Sequence, residues 1–416
     1  MNIIEDLQYR GLINQCSDLK ALEKRLAQGP ITLYVGFDPT ADSLHLGNLL
    51  LILGLKRFQD TGHKPIAIAG GGTGLIGDPS GKSEERQLNP EEIVNEWNEK
   101  VKNQIERFLD FSGKNKAELV NNYDWLGKLN YLEFLRDIGK HFSLNDMLDK
   151  ESVKTRLKTG ISFTEFNYQV LQAYDFYQLF IKRSCELQLG GSDQWGNIIA
   201  GVELIRKKLS QPAFALTLPL VTKSDGTKFG KTAGGAIWLD ANKTSPYEFY
   251  QFFINVEDEL VVQLLKFFTF LSHDEIKALE EEAKKNPEKR QAQITLAQEV
   301  TKTVHGEAAL VRAERISEYL FSGQIKDLSE SELKEAFKGA PKSEIKKMDI
   351  NTVDLLVETT LSPSKRQARQ DLESGAISIN GELVKDLEKI IKEEDLLFGK
   401  YLVLRRGKKN YHLVSK

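Results

Sequence analysis

The fold is decided by residues 31–74, which read ITLYVGFDPTADSLHLGNLLLILGLKRFQDTGHKPIAIAGGGTG. Residues 31–37 form an apolar run typical of a buried strand, and residues 45–61 have the length and apolar spacing of a helix. A second strand begins at Lys64 and runs into glycines. A strand, a helix and a strand at this spacing predict a right-handed parallel crossover, and hence a doubly wound parallel α/β sheet that binds ligands at the carboxyl ends of its strands. The expected ligand loops follow Phe37, Ala69 and Leu189.

The rest of the chain extends this sheet and then changes character. Residues 185–206 repeat the pattern of strand, glycine-rich turn and helix, which predicts a second half-site facing the first. Helical patterns cover residues 89–109 and 131–177, and residues 246–320 look helical with Glu- and Lys-rich exposed faces. Near the end, a helix-like SKRQARQDLESG precedes AISINGELV, which predicts a hairpin with an Asn-Gly turn.

These changes predict four parts. A doubly wound α/β domain is expected over residues 1–245, an α-helical domain over 246–322, a polar linker over 323–349 and a small α+β domain over 350–416. The length agrees with several folding units, because 416 residues exceed what one hydrophobic core usually organises.

Composition favours a soluble enzyme. The net charge is −3, and no stretch reaches the roughly 20 apolar residues that span a bilayer. The first residues, MNIIEDLQYRG, are acidic and helical rather than typical of a signal peptide, so a cytosolic protein is expected. Cys16 and Cys185 lack metal-ligand spacing, so neither a disulfide framework nor a zinc site is expected.

Two short segments, far apart in the chain, favour a polyphosphate site. The HLGN segment (residues 45–48) places an imidazole and a glycine at a helix N-terminus, where free N–H groups favour an anion. The KFGKT loop (residues 228–232) adds two ammonium groups. A histidine near a helix start is more often only a polar cap, but Thr40 in the preceding turn could bind the same phosphate.

Glycine-rich sequence follows the second strand. The runs GGGTG (residues 70–74) and GDPSG (residues 77–81) could be a flexible surface loop, but glycines directly after a buried strand usually let a ligand approach the backbone. Asp78 is therefore a candidate partner for an ammonium group, and Lys82 and Arg86 could close over polyphosphate. The segment lacks the spacing of a P-loop.

Polar side chains on one predicted helix suggest a second part of the site. Tyr168, Gln172 and Asp175 lie on adjacent turns of one face and alternate with aromatic residues. Polar groups at this spacing more often face solvent, but the aromatic neighbours favour a pocket for an aromatic ligand. Asp193 and Gln194 could reach ribose hydroxyls, although a helix N-cap is an equally simple role for Ser192 or Asp193.

These motifs resemble those of the bacterial tyrosyl-tRNA synthetases, a branch of the class I aminoacyl-tRNA synthetases. The HLGN segment is similar to the family's HIGH motif, with Asn48 at its last position, and the KFGKT loop is similar to KMSKS. GDPSG and GGSDQWGN (residues 190–197) are shared mainly with the tryptophanyl relatives. The resemblance runs essentially end to end. It implies a Rossmann-like catalytic domain with a helical dimer-interface insertion at about 124–165, a helical domain on the anticodon side of tRNA, and an RNA-binding domain like that of a ribosomal protein.

The resemblance also implies an activity. L-tyrosine would react with Mg²⁺-ATP to give tyrosyl-adenylate and pyrophosphate, and tyrosine would then pass to the 3′-terminal ribose of tRNA(Tyr). A cytoplasmic homodimer is implied, with no protein-bound metal or organic cofactor. The implied site residues are, for catalysis, Thr40, His45, Lys82, Arg86, Lys228 and Lys231; for tyrosine, Tyr34, Asp78, Tyr168, Gln172 and Asp175; for ATP, Gly36, Asp38, Gly47, Asn48, Gly191, Asp193, Gln194 and Lys231; and for tRNA, Lys365, Arg366 and Arg369.

Three other interpretations remain at this point. A tryptophanyl synthetase would share the glycine-rich blocks. It should lack the RNA-binding tail and the combination of Tyr34 and Asp175, which the resemblance implies pair with the phenol of the substrate. Another nucleotidyltransferase would activate a small acid and ignore tRNA. A non-enzymic RNA-binding protein built on a synthetase fold is disfavoured, because RNA binding alone needs neither His45 nor the KFGKT loop.

Overall fold

The structure is a computed structural model that describes residues 2–80, 88–157, 160–232, 235–345, 349–407 and 410–416. It divides into two compact units. The first unit contains Met1–Lys243 and Val256–Leu296, and the second contains Thr244–Asn255 and Ala297–Lys416. Residues 256–296, which lie in the helical domain predicted over residues 246–322, therefore belong to the first unit.

The first unit is built on one mixed sheet in the order β1-β6-β5-β2-β3-β4. The predicted crossover is confirmed, because β2 and β3 are parallel neighbours joined by a helix. β2 also pairs in parallel with β5, so the strand order reverses between β2 and β5, and only β1 runs antiparallel. Its strands are β1 Gln15–Cys16, β2 Thr32–Phe37, β3 Lys64–Ala69, β4 Glu118–Asn121, β5 Cys185–Gly191 and β6 Phe214–Leu218.

Helices pack against this sheet through apolar faces. The core beside β2 and β5 contains Tyr34, Ile66, Phe176 and Leu179, all of them buried. The two-residue strands β7 Lys231–Thr232 and β8 Gly235–Ala236 form a separate ladder. The helices are α1 Ile3–Arg10, α2 Leu19–Leu26, α3 Leu46–Asp60, α4 Glu91–Ile105, α5 Tyr123–Leu126, α6 Tyr131–Asp137, α7 Leu144–Leu148, α8 Glu151–Leu157, α9 Phe163–Arg183 and α10 Trp195–Leu209; after α11 Pro246–Ile254 of the second unit come α12 Asp258–Phe268 and α13 His273–Lys285.

The second unit joins helices to a small sheet in the order β12-β11-β14-β15-β9. The predicted hairpin is present: β11 pairs with β12, and the turn residues Asn380 and Gly381 both have positive φ, at 50° and 89°. Such angles are what a two-residue Asn-Gly turn requires. After α11 and α14 Gln291–His305, which crosses from the first unit, the elements are α15 Glu307–Ser322, α16 Glu330–Ala336, β9 Lys342–Glu344, β10 Ile350–Asn351, α17 Thr352–Glu358, α18 Lys365–Glu373, β11 Ile377–Ile379, β12 Glu382–Leu383, β13 Ile390–Ile391, β14 Tyr401–Arg406 and β15 Asn410–Ser415.

The structure differs from the expected linker at residues 323–349. α16 lies within it, and β9 is an edge strand of the small sheet. Leu333 and Phe337 are buried in one core with Val403 and Leu413. The segment was misjudged because these few apolar residues stand among many lysines and glutamates, so its composition is polar although its packing is not. Within the described residues, no helix is long and apolar enough to cross a membrane.

Candidate functional site

A cavity of about 360 Å³ opens at the carboxyl ends of β2, β3 and β5 in the first unit. It lies where the strand order reverses, which is where doubly wound sheets bind ligands. Every predicted site residue of this unit that the structure describes lines the cavity. These residues are Tyr34, Gly36, Asp38, Thr40, His45, Gly47, Asn48, Asp78, Tyr168, Gln172, Asp175, Gly191, Asp193, Gln194, Lys228 and Lys231. The predicted Lys82 and Arg86 lie outside the described residues.

One end of the cavity is closed by Tyr34 of β2 and Asp175 of α9. Both side chains are buried, and the Tyr34 hydroxyl has no hydrogen-bond partner among the described residues. Asp175 accepts a hydrogen bond from Trp125 Nε1 at 2.7 Å and another from Asn122 Nδ2 at 2.9 Å. Burial raises the pKa of Asp175 to about 7, although these two donors oppose the shift. This end can therefore recognise a ligand hydroxyl that both donates and accepts.

Sequence reasoning missed the polar network behind Asp175. Asn122 Nδ2 also lies 2.9 Å from Thr73 Oγ1, and the Thr73 hydroxyl donates to Asp38 Oδ1 at 2.6 Å. The network thus connects Asp175 with Asp38 across the cavity. A second residue that was missed, Gln188, is buried on β5 at the register position of Tyr34 and lines the same end. For the network of Asn122, the available sequence signal was the pair Asn121-Asn122 at the end of the short strand β4.

Two carboxylates flank the middle of the cavity, and each already has donors. Asp38 Oδ2 accepts from the Tyr168 hydroxyl at 2.6 Å. Asp78 Oδ2 accepts from Gln194 Nε2 at 2.6 Å. Gly70 lies so close to Asp38 that a Cβ there would fall 2.0 Å from Oδ1, which explains a glycine directly after β3. The pair of carboxylates favours a cationic group on the ligand between them.

The other end of the cavity is the N-terminus of α3. His45 is the N-cap, and its Nδ1 accepts from the backbone N–H of Gly47 at 3.1 Å. The Asn48 side chain accepts from the His45 N–H at 3.1 Å, so the two residues form a reciprocal cap. Because Nδ1 accepts, the proton of a neutral ring lies on Nε2, which makes that atom a donor. The cap and the ligand-binding interpretation of His45 are therefore compatible.

The KFGKT loop lies beside this helix N-terminus. Lys228 and Lys231 are exposed and line the cavity. Gly230 has a φ of 85°, and a Cβ there would lie 3.2 Å from Leu46 Cβ, so this loop position requires glycine. Burial raises the pKa of the nearby Asp193, and Lys228 opposes that shift. Positive charge is thus concentrated at the end of the cavity that already carries the helix dipole.

The predicted basic residues of the second unit lie elsewhere. Lys365, Arg366 and Arg369 are exposed on α18, whose other face is buried through Ala368 and Leu372. Lys365 Nζ is 2.6 Å from Asp354 Oδ1, so part of its charge is already balanced. Arg366 and Arg369 supply most of the exposed positive charge of this helix.

Comparisons with known proteins agree along the whole chain. The family of class I tRNA synthetases for tryptophan and tyrosine matches residues 26–322, and the C-terminal domain of SYY-like tyrosine–tRNA ligases matches residues 332–414. The chain is 58% identical to the tyrosine–tRNA ligase of Geobacillus stearothermophilus over 416 residues, which cover 100% of this chain and 99% of that protein. It is 57% identical to tyrosine–tRNA ligase 1 of Bacillus subtilis over 418 residues, with the same coverage.

Solved structures give the same relationship for the fold. A C-terminally truncated mitochondrial tyrosyl-tRNA synthetase from Aspergillus nidulans superposes with a TM-score of 0.69 at 32% identity, covering 77% of this chain and 94% of that one. A second truncated mitochondrial tyrosyl-tRNA synthetase, from Coccidioides posadasii, gives a TM-score of 0.66 at 31% identity, covering 76% of this chain and 91% of that one.

Proposed function

Because this chain belongs to the tyrosine–tRNA ligases of the class I tRNA synthetases, we propose that its cavity holds tyrosine and ATP end to end. The enzyme activates L-tyrosine with ATP and transfers it to tRNA. The observation that carries the assignment of roles is that one cavity has both a buried phenol-sized end at Tyr34 and Asp175 and a cationic end at α3.

Tyrosine occupies the buried end in this proposal. Its phenol donates to Asp175 and accepts from Tyr34, whose buried hydroxyl is otherwise unpaired within the described part of the chain. Its ammonium group lies near Asp78, Tyr168 and Gln172, which satisfy its three donors. A site built around a substrate hydroxyl rejects phenylalanine, because the buried polar groups would be left unpaired; this family is the standing example, at about 10⁵-fold.

ATP occupies the other end, with its adenosine near Asp38, Asp193 and Gln194. The tyrosine carboxylate attacks the α-phosphorus: a bond from phosphorus to the carboxylate oxygen forms, and the bond to the bridging oxygen breaks to release pyrophosphate. Catalysis is then mainly positioning and stabilisation of charge. Thr40, His45, Lys228 and Lys231 are the groups in reach of the phosphates, and Lys82 and Arg86 remain predictions for the same task.

Magnesium enters this proposal as part of the substrate. The ion is bound by phosphate oxygens of ATP, because Mg²⁺ prefers substrate phosphates and water to an all-protein cage. In the second step, a hydroxyl of the 3′-terminal ribose of tRNA attacks the carbonyl carbon of the adenylate and releases AMP. We place this reaction in the cytoplasm, with the exposed face of α18 in contact with tRNA phosphates.

ATP–pyrophosphate exchange tests this function. Purified protein is mixed with Mg²⁺-ATP, labelled pyrophosphate and each of the twenty amino acids in turn. Exchange is expected with tyrosine alone, because only tyrosine supplies the phenol hydroxyl that Tyr34 and Asp175 require. Exchange with tryptophan would contradict the proposed phenol site, and exchange with none would contradict activation at this cavity.

The homodimer is proposed on a surface of the first unit. Between α6 and the start of α9, large apolar side chains are exposed, of which Leu132 is 75% and Phe163 69% accessible; the others are Tyr131, Leu135, Leu144 and Leu157. Monomeric proteins rarely expose so many apolar side chains in one segment, and such patches usually mark an interface. The family resemblance implied a dimer interface at about 124–165, which includes all six of these residues.

Substituting Leu132→Asp is expected to convert the dimer to a monomer. A two-fold axis repeats the change in both protomers, and each charge buried without a partner costs about 3 kcal/mol or more. Analytical ultracentrifugation at micromolar protein measures the mass. Val311→Asp, at a position 55% exposed in the second unit, is the matched control and should leave the mass unchanged. A dimeric Leu132→Asp protein would place the interface elsewhere.

A further inference from the structure

The segment that follows the KFGKT loop is joined by its backbone to the turn before α3. Leu46 N donates to Ile237 O at 3.2 Å, and Leu239 N donates to Leu44 O at 2.9 Å. Ile237 N in turn donates to Gly230 O at 2.8 Å. The two signature segments, HLGN and KFGKT, are thus held together by one short antiparallel bridge.

At the centre of this bridge, His45 and Trp238 are directly paired. Their rings lie in a tilted arrangement, with centroids 6.3 Å apart and planes inclined by 51°. Lys243 Nζ lies 4.8 Å from the centroid of the Trp238 ring and also forms an ion pair with Asp42 in the turn that leads to His45. The indole is therefore connected to both ends of the turn that precedes α3: to Asp42 through Lys243, and to His45 through the backbone pairing.

We propose that Trp238 is a positioning residue for the tyrosine-activation step, holding the His45 imidazole with its Nε2–H directed at the ATP phosphates. This inference rests on the phosphate role proposed for His45. The hydrogen bond from Gly47 N to Nδ1 at 3.1 Å fixes which nitrogen carries the proton. The backbone pairing of His45 with Trp238 sets the indole beside the imidazole, with the ring centroids 6.3 Å apart, so the indole restricts the tilt of the imidazole on that side.

The size of the effect follows from the geometry that catalysis needs. A misplacement of about 1 Å in a charge-stabilising group can cost up to 10²-fold in rate. Removing the indole leaves His45 in place but allows it to tilt, so a smaller loss of about tenfold is expected in the rate of adenylate formation. Tyrosine affinity should not change, because Tyr34 and Asp175 lie at the opposite end of the cavity.

A double-mutant cycle between His45→Ala and Trp238→Ala tests the inference. Stopped-flow or quench measurements of adenylate formation give the rate for each protein, and equilibrium dialysis gives the tyrosine dissociation constant. Trp238→Ala is expected to slow the wild-type enzyme about tenfold but to have little further effect in His45→Ala, because residues that act together are not additive. Trp238→Phe, which keeps an aromatic ring, should restore most of the rate.

The controls separate the inference from its premise. Trp97→Ala removes another half-buried tryptophan, on α4, and should leave the rate unchanged. Normal activation by His45→Ala would overturn the proposed role of His45. A slow His45→Ala enzyme, combined with a normal Trp238→Ala enzyme or with additive losses, would overturn the positioning role alone. If Trp238→Ala does not fold, Trp238→Leu carries the same cycle with the same outcomes.

Discussion

Replacing Asp175 by asparagine is expected to lower kcat/KM for tyrosine activation by about 10- to 100-fold. The carboxylate accepts from both Trp125 and Asn122, so an amide at this position presents its NH₂ group to one of these donors. One buried donor then loses its acceptor, and the substrate phenol loses a charged acceptor. The unpaired donor is present with and without substrate and lowers stability, whereas the loss of the charged acceptor for the phenol costs about 1.5–3 kcal/mol in the complex alone. Tyrosine-dependent pyrophosphate exchange measures the change.

The pH dependence of tyrosine binding gives a second observable for the same residue. Burial raises the pKa of Asp175 to about 7, and the nearby Asp38 carboxylate adds to the shift. Tyr34 and Tyr168 stay protonated near neutral pH, because burial raises the pKa of both hydroxyls well above 10. If the phenol donates to ionised Asp175, the tyrosine dissociation constant should rise about tenfold between pH 8 and pH 6, since only about a tenth of Asp175 is ionised at the lower pH.

Calorimetry measures the tyrosine dissociation constant in the absence of ATP. The His45 end of the cavity, where ATP is proposed to bind, then does not contribute to the measured binding. Asp175→Asn should remove the dependence on pH. The matched control is Asp371→Asn on α18, another buried carboxylate that accepts from several donors but lies in the second unit. It should activate tyrosine normally. A wild-type affinity that is flat from pH 6 to pH 8, or normal activation by Asp175→Asn, would contradict the assignment of the phenol site.

The strands and the helix at residues 31–74 show how much of the fold a local sequence pattern can predict. Strand length, helix length and the glycines that end each element are properties of short segments, so β2, α3 and β3 follow from the sequence within a residue or two. Parallel pairing then follows from the crossover rule, and with it the edge of the sheet that holds the cavity. The sequence alone therefore suffices to assign the residues at the ends of these strands to one site.

The network behind Asp175 could not be predicted in the same way. Asn122 and Trp125 lie 53 and 50 residues before it, and their side chains reach Asp175 only because α9 packs against the end of β4 and α5. No periodicity or local motif records such a contact. The expected linker failed for a related reason, because Leu333 and Phe337 are buried only in the presence of β14 and β15.

Ending the chain at Ser322 is expected to leave tyrosine activation close to wild type and to reduce tRNA charging by about 10³-fold or more. Every residue that lines the cavity lies before position 269, so the first reaction keeps its whole site. The removed part carries the exposed Arg366 and Arg369, which we propose contact RNA phosphates; such electrostatic contacts add over several charges. Pyrophosphate exchange and aminoacylation of tRNA(Tyr) measure the two steps separately.

The position of the truncation matters, because buried apolar residues continue into the polar segment 323–349. A chain that ends at residue 349 keeps Leu333 and Phe337 but loses Val403 and Leu413, against which they pack, so its newly exposed apolar surface should make it prone to aggregation. The full-length double variant Arg366→Ala/Arg369→Ala is the folded control. It should charge tRNA more slowly than wild type and with a weaker dependence on salt. Equal loss of exchange and charging on truncation would contradict a separable tRNA-binding unit, and normal charging would show that tRNA binds elsewhere.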